Sequence, residues 1–170
     1  MTIYKNMLIL IISIFLFFLF FYFFSNINIA EYYFLDNKGE ANVVKIGLIK
    51  KSSNEEITLK KVLNNYLSLA RKDSFNSELL SNFTIKDVNI QNNACIIHLE
   101  LKLDRKVNLT SFSESRSLIL LLKTAKSFLK NVKYFKIIGL EKVYKHIDTS
   151  YPMMLVGDNI KIVVGVINED

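Results

Sequence analysis

The residues whose side chains could carry chemistry are few and widely spaced. The histidines are His98 and His146, the single cysteine is Cys95, and Asp148 lies two residues after His146. A zinc site needs closely spaced histidine or cysteine ligands, and the chain has neither an HExxH pattern nor a cysteine pair. A catalytic triad needs only that its members meet in space. A triad of His146 and Asp148 with a serine therefore stays open as an enzymatic alternative, although no serine lies in a GxSxG turn.

Patterns for acid–base catalysis and phosphate binding are equally sparse. Glu55-Glu56 falls at a predicted helix start, and Glu169-Asp170 forms the tail of the chain. Neither GxGxxG nor GxxxxGK[ST] occurs, so nothing in the sequence supports nucleotide binding. We therefore predict a non-enzymatic protein with no catalytic, cofactor-binding or metal-binding residues, no cofactor and no nucleic-acid partner.

One charged pattern stands out in a chain with a formal net charge of +6. Four lysines recur at offsets of three, four and three, which predicts a row on one side of a helix. They are Lys123, Lys126, Lys130 and Lys133. Near an anionic leaflet each ammonium group would contribute about 1 kcal/mol. The row is our candidate interaction surface, and the alternative is the solvated side of an amphipathic helix.

Hydrophobic periodicity predicts the elements that must position these residues. Alternation places Cys95, Ile97 and Leu99 on the buried face of a strand and turns His98 outward, so Cys95 is predicted as a core residue. A period near 3.6 predicts a helix with six inward residues. They are Leu59, Val62, Leu63, Tyr66, Leu67 and Ala70.

The remaining segments complete an alternating order of strands and helices. Strands are predicted over 30–35, 43–49, 83–90, 95–103 and 134–140, with a last hairpin over 151–156 and 159–167. A second helix opens at residues 113–115 and stops near Asn131. The predicted fold class is α+β, with a single N-terminal transmembrane helix followed by one domain in which two helices pack on one face of a mixed, mostly antiparallel sheet.

Residues 7–24 are apolar apart from Ser13 and one tyrosine, and as a helix they would span roughly 27 Å. This length favours an uncleaved transmembrane signal anchor over a signal peptide, whose apolar region is usually about 7–15 residues long. Lys5 in the head favours a cytoplasmic N-terminus over residues 1–6. The prediction is a single-pass protein of the inner (cytoplasmic) membrane, with a short linker over 25–30 and an extracytoplasmic domain over 31–170.

Several stretches of this pattern resemble the GerMN domain, a module of spore-germination and envelope lipoproteins. The matching stretches are hydrophobic positions in residues 32–36, 59–69, 88–90, 94–99, 117–129 and 132–138, roughly within 31–142. The resemblance implies an α+β fold similar to ring-building motifs and a non-enzymatic role in envelope assemblies. The chain departs from the family in having no lipid-anchoring cysteine and no glycine or proline in the loop over 72–77.

Together these observations predict a membrane-anchored envelope protein that acts as a scaffold or interaction module. The expected partners are the cytoplasmic membrane through residues 7–24 and other envelope proteins or a second copy of the chain. Wall polymer is a further candidate partner. The alternative function is a peptidoglycan- or wall-polymer-binding accessory to an envelope hydrolase, which would use an exposed groove involving Tyr144 and Tyr151.

Overall fold

The computed structural model describes residues 2–35, 41–72, 82–102, 110–141 and 143–164. Helix α1 covers Thr2–Ser25 and is followed, after the turn residue Asn26, by an antiparallel pair of strands, β1 over Ile27–Leu35 and β2 over Ala41–Lys50. β1 therefore begins within the segment that was predicted as a linker.

Among the described residues, no helix combines the length and the apolar character needed to cross a membrane. On this finding the predicted transmembrane signal anchor over residues 7–24 is wrong.

Helix α2 covers Glu55–Lys72 and forms where its sequence supplies both a cap and an apolar stripe. The side-chain oxygen of Asn54 accepts a hydrogen bond from the Ile57 amide at 3.1 Å, which satisfies one of the free donors of the first turn. The acidic pair Glu55-Glu56 lies in that turn, where the helix dipole favours negative charge. All six residues predicted to face inward are buried.

The larger sheet has five strands in chain order. Its strands are, in order, β3 (Phe83–Gln91), β4 (Ala94–Leu101), β5 (Tyr134–Ile138), β6 (Met153–Val156) and β7 (Asn159–Ile162). Neighbouring strands pair antiparallel, except that β4 and β5 are parallel.

Helix α3 (Ser111–Phe128) lies between the two parallel strands in the chain. Thr110 and Ser113 form its capping box. The turn between β3 and β4 uses Asn92 at φ 51°, as its residue type predicts.

The structure confirms the α+β class and the order of elements but corrects the predicted architecture. There are three helices and two sheets among the described residues, not two helices on one mixed sheet after the N-terminal segment. The reason lies at the outer edge of β1, which meets α3 rather than another strand. The Tyr33 amide donates to the hydroxyl of Thr124 at 3.2 Å, and the hydroxyl of Ser127 donates to the Glu31 carbonyl at 3.3 Å.

One hydrophobic core joins both sheets to α2 and α3. β4 contributes the buried face that was predicted, since Cys95, Ile97 and Leu99 are buried. Predictions for residues 36–39, 73–77, 103 and 165–167 lie outside the described residues.

Candidate functional site

The predicted catalytic candidates lie on one strand and in one loop. His98 is half-buried on β4, where its register partner is Asp87, and His146 is exposed in the loop after β5. The Asp148 carboxylate accepts from the amide and the hydroxyl of Ser150, and these bonds lower the pKa of that carboxyl. The carboxylate therefore orders its own turn.

The described part of the chain has no group of three or more histidine, cysteine, aspartate or glutamate residues that could hold a metal ion. Cys95 is fully buried, as predicted. Burial raises the pKa of its thiol to about 12, with smaller contributions from Glu56 and Glu55. A thiol in this environment is a weak nucleophile at neutral pH.

The four candidate lysines occupy different environments and do not form one stripe. Lys123 on α3 is half-buried, pairs with the Asp158 carboxylate in the β6–β7 turn and lies 5.5 Å from the centre of the Tyr33 ring. Lys126 donates to the carbonyl oxygens of Lys130 and Val132, just beyond the end of α3. Both side chains therefore hold parts of the fold together.

The other two candidate lysines are exposed beyond the C-terminal end of the helix. Lys130 follows Leu129, which is the C-cap residue of α3. Lys133 lies just before β5, with its ammonium group 5.2 Å from the centre of the Tyr134 ring. A helix ending at Phe128 cannot carry either side chain, so only Lys130 and Lys133 remain as an exposed charged surface from the predicted set.

Sequence reasoning missed a buried carboxylate that organises the loop carrying His146. Glu114 is fully buried in the first turn of α3. Its two oxygens accept hydrogen bonds from the amides of Lys145, His146 and Ile147 at 2.9, 2.9 and 3.2 Å. A signal was present, because Glu114 lies four and seven residues before Leu118 and Leu121, on the face of the helix that those leucines bury.

Two buried tyrosines lie in the same core with different hydrogen bonding. Burial raises the pKa of Tyr144, whose hydroxyl bonds that of Ser117 on α3. Burial likewise raises the pKa of Tyr66, whose hydroxyl has no partner among the described residues. Tyr144 is only 4% exposed, so the wall-polymer groove predicted to involve Tyr144 and Tyr151 has just Tyr151 at the surface.

A cleft of about 390 Å³ lies where three elements meet: the start of β1, the start of α2 and the end of α3. Most of its lining is polar, with two lysines and one acidic residue. The lining residues are Asn28, Ile29, Lys51, Ser52, Ser53, Glu55, Thr58, Ser127, Phe128 and Lys130.

No protein-family model and no curated protein matches the chain. Among solved structures, the chain is similar to the 2.5 Å crystal structure of a protein titled "Putative Lipoprotein" from Clostridium perfringens. The two are 17% identical, the match covers 76% of this chain and 89% of that chain, and the TM-score is 0.46. The resemblance to the GerMN domain stays a prediction.

Proposed function

We propose that this chain is a non-catalytic envelope protein, held at a membrane by α1, whose domain serves as a scaffold or interaction module. The observation that carries the proposal is the surface of α1. Its described large apolar side chains are between 44% and 80% exposed, and none of them belongs to the core. An apolar surface of this extent needs a cover, because contiguous exposed apolar patches mark contact with lipid or with another protein.

The composition of α1 favours lipid as that cover. Its side chains are predominantly leucine, isoleucine and phenylalanine on every side of the helix, with no acidic residue in the first turn and no basic residue in the last. A helix that packs against a protein partner typically keeps a polar face. The predicted resemblance to GerMN domains agrees with an extracytoplasmic position for the rest of the chain.

Vesicle flotation tests the membrane part of the proposal. The full chain should float with phospholipid vesicles through a density gradient and resist extraction by high salt. A chain that begins at Asn26 is the matched control, because it keeps every described core residue and removes only α1. A full chain that stays with the unbound fraction would contradict the proposal.

Crosslinking of membranes tests the interaction part. Envelope proteins or second copies crosslinked to the chain should decrease in the variant K130E/K133E, since charge reversal repels an acidic partner. K145E is the matched control, because Lys145 is also exposed but lies in the loop held by the first turn of α3. Wild-type chain that crosslinks to nothing would refute the scaffold role, and equal crosslinking in both variants would refute the lysine surface.

A further inference from the structure

The junction between α1 and the domain is hydrogen-bonded from several directions. The side chains of Ser25 and Asn26 both donate to the carbonyl oxygen of Tyr22, at 3.0 and 2.9 Å. The amide of Lys51, just after β2, donates to the carbonyl oxygen of Asn26 at 2.8 Å. The end of α1 is thus tied both to the start of β1 and to the end of β2.

The outer face of the β1–β2 pair beside this junction carries apolar side chains. Ile29 and Leu48 are direct register partners and are 63% and 70% exposed. Ile46 follows on the same face at 66% exposure, opposite Glu31. Side chains of paired residues in an antiparallel ladder point to the same face, so these three form one patch.

Basic side chains border this patch. Lys50 pairs with Ile27 at the end of the ladder nearest α1, and Lys51 and Lys130 line the adjacent cleft. The cleft lining contains two lysines and one acidic residue, Glu55, so its net charge is positive. We call the set Ile29, Leu48, Lys50, Lys51 and Lys130 the basal surface.

We propose that the basal surface rests against the headgroups of an anionic phospholipid bilayer. The inference rests on the proposed function, which brings α1 to the membrane. Ile29 follows the last residue of α1 by only four positions and is paired with Leu48, and the lysines beside them complement phosphate charge. Ile29 is about 10 Å along the strand from Asn26, comparable with a headgroup layer roughly 5–8 Å deep, so a moderate tilt of the domain brings it into contact.

A tryptophan placed in the basal surface tests this contact, because the chain contains no tryptophan of its own. L48W in the full chain reports on the basal surface in vesicles that contain headgroup-labelled nitroxide lipid. F112W is the matched control: Phe112 is 67% exposed in the first turn of α3, whereas Phe128 at the other end of that helix lines the cleft. The helical rise separates these two positions by about 24 Å.

We expect the emission of L48W to shift to shorter wavelength on vesicle binding and to lose intensity to the nitroxide, while F112W shows neither change. Equal quenching of the two reporters, or quenching of neither, would overturn the basal contact.

The charge requirement is tested in the L48W background with K51Q/K130Q. Each lysine near an anionic surface contributes a factor of about 5, so the double change should lower the ratio of docked to free domain by about 30-fold. Quenching in anionic vesicles should then fall most of the way to its level in zwitterionic vesicles, because only Lys50 remains of the basal lysines, whereas K145Q should leave it unchanged. Undiminished quenching in K51Q/K130Q would overturn the anionic headgroup as the occupant.

Flotation of the same samples separates this inference from the proposed function. A chain that floats while L48W stays unquenched overturns the basal contact alone. A chain that does not float overturns the proposed function and this inference together.

Discussion

Glu114→Gln is the substitution that most directly tests the structure, because it changes one buried atom and keeps the shape of the side chain. In the wild type, three amide groups of the loop over residues 145–147 donate to the two carboxylate oxygens. A glutamine has one acceptor oxygen. In its better orientation that oxygen keeps His146 and Ile147, and the amide NH₂ then faces the N–H of Lys145.

The cost follows from that geometry. One hydrogen bond is lost and one partly buried donor is left without an acceptor, which costs about 1–3 kcal/mol. The two remaining bonds lose their charge-assisted character, and such bonds are roughly twice as strong as neutral ones. We therefore expect the free energy of unfolding to fall by about 2–4 kcal/mol and the melting temperature to fall by roughly 6–15 °C.

Thermal melting of the full chain in mild detergent, followed by circular dichroism, measures this change. Glu141→Gln is the matched control, since both oxygens of the exposed Glu141 accept from the Gly139 amide at 3.2 and 2.9 Å. One oxygen suffices for that single donor, so the control should change stability by no more than about 0.5 kcal/mol. Amide exchange at residues 145–147 should accelerate in E114Q. Melting temperatures that agree between E114Q and E141Q would refute the role assigned to Glu114.

Three further predictions use the same melts or a thiol reagent. Tyr66→Phe should stabilise the fold by up to about 1 kcal/mol, because it removes a buried hydroxyl without a partner among the described residues. Tyr144→Phe should destabilise the fold by about 1 kcal/mol, because it breaks the hydrogen bond to Ser117 on α3. Changes in the free energy of unfolding with the same sign for both variants would contradict this. Gly139→Ala should cost more than about 2 kcal/mol, because its φ is +99° and the added methyl group would clash with a backbone carbonyl of β4. Gly157→Ala should cost about 1 kcal/mol, because its φ is +58° but the space around it is open. Equal costs would count against the clash at Gly139. The pKa of the Cys95 thiol rises from 9.0 to about 12 on folding, so the thiol ionises at lower pH in the unfolded chain than in the folded one. The contribution of this thiol to stability is therefore complete below pH 9 and is lost as pH rises towards 12. Because the thiol is buried, Ellman's reagent at pH 8 should react with it only as the chain unfolds. Rapid labelling of folded protein would show that the thiol is accessible.

Local periodicity was sufficient to predict the elements whose burial it controls. The 3.6-residue period of Leu59–Ala70 and the alternation of Cys95–Leu99 each follow from one face of an element meeting the core, and the structure buries those faces. Element ends were less well predicted: β1 begins at Ile27 and α3 ends at Phe128, both earlier than expected. Cap geometry and local hydrogen bonds set those ends, and hydropathy does not register them.

Two of the interactions that sequence reasoning missed join residues far apart in the chain. Glu114 meets amides about 30 residues later, and Lys123 pairs with Asp158 in a hairpin turn. Spacing along a helix identifies neighbours three and four residues away, so it cannot reveal that a lysine has a distant partner. For this reason the role of Lys123 in holding the fold together was not predicted. The carbonyl partners of Lys126 are only four and six residues away, but they lie beyond the end of α3.

The placement of β1 determines how the domain can move relative to α1. β1 starts two residues after the helix ends, contributes the buried residues Ala30, Tyr32 and Phe34 to the core, and hydrogen-bonds along its outer edge to α3. A flexible tether is made of residues without such contacts. Since residues 27–30 are part of the ladder, motion of the domain relative to α1 is restricted to the turn at Asn26, which is itself bonded on both sides. A membrane that holds α1 would therefore also orient the domain, and the face presented to a partner would be set by the fold.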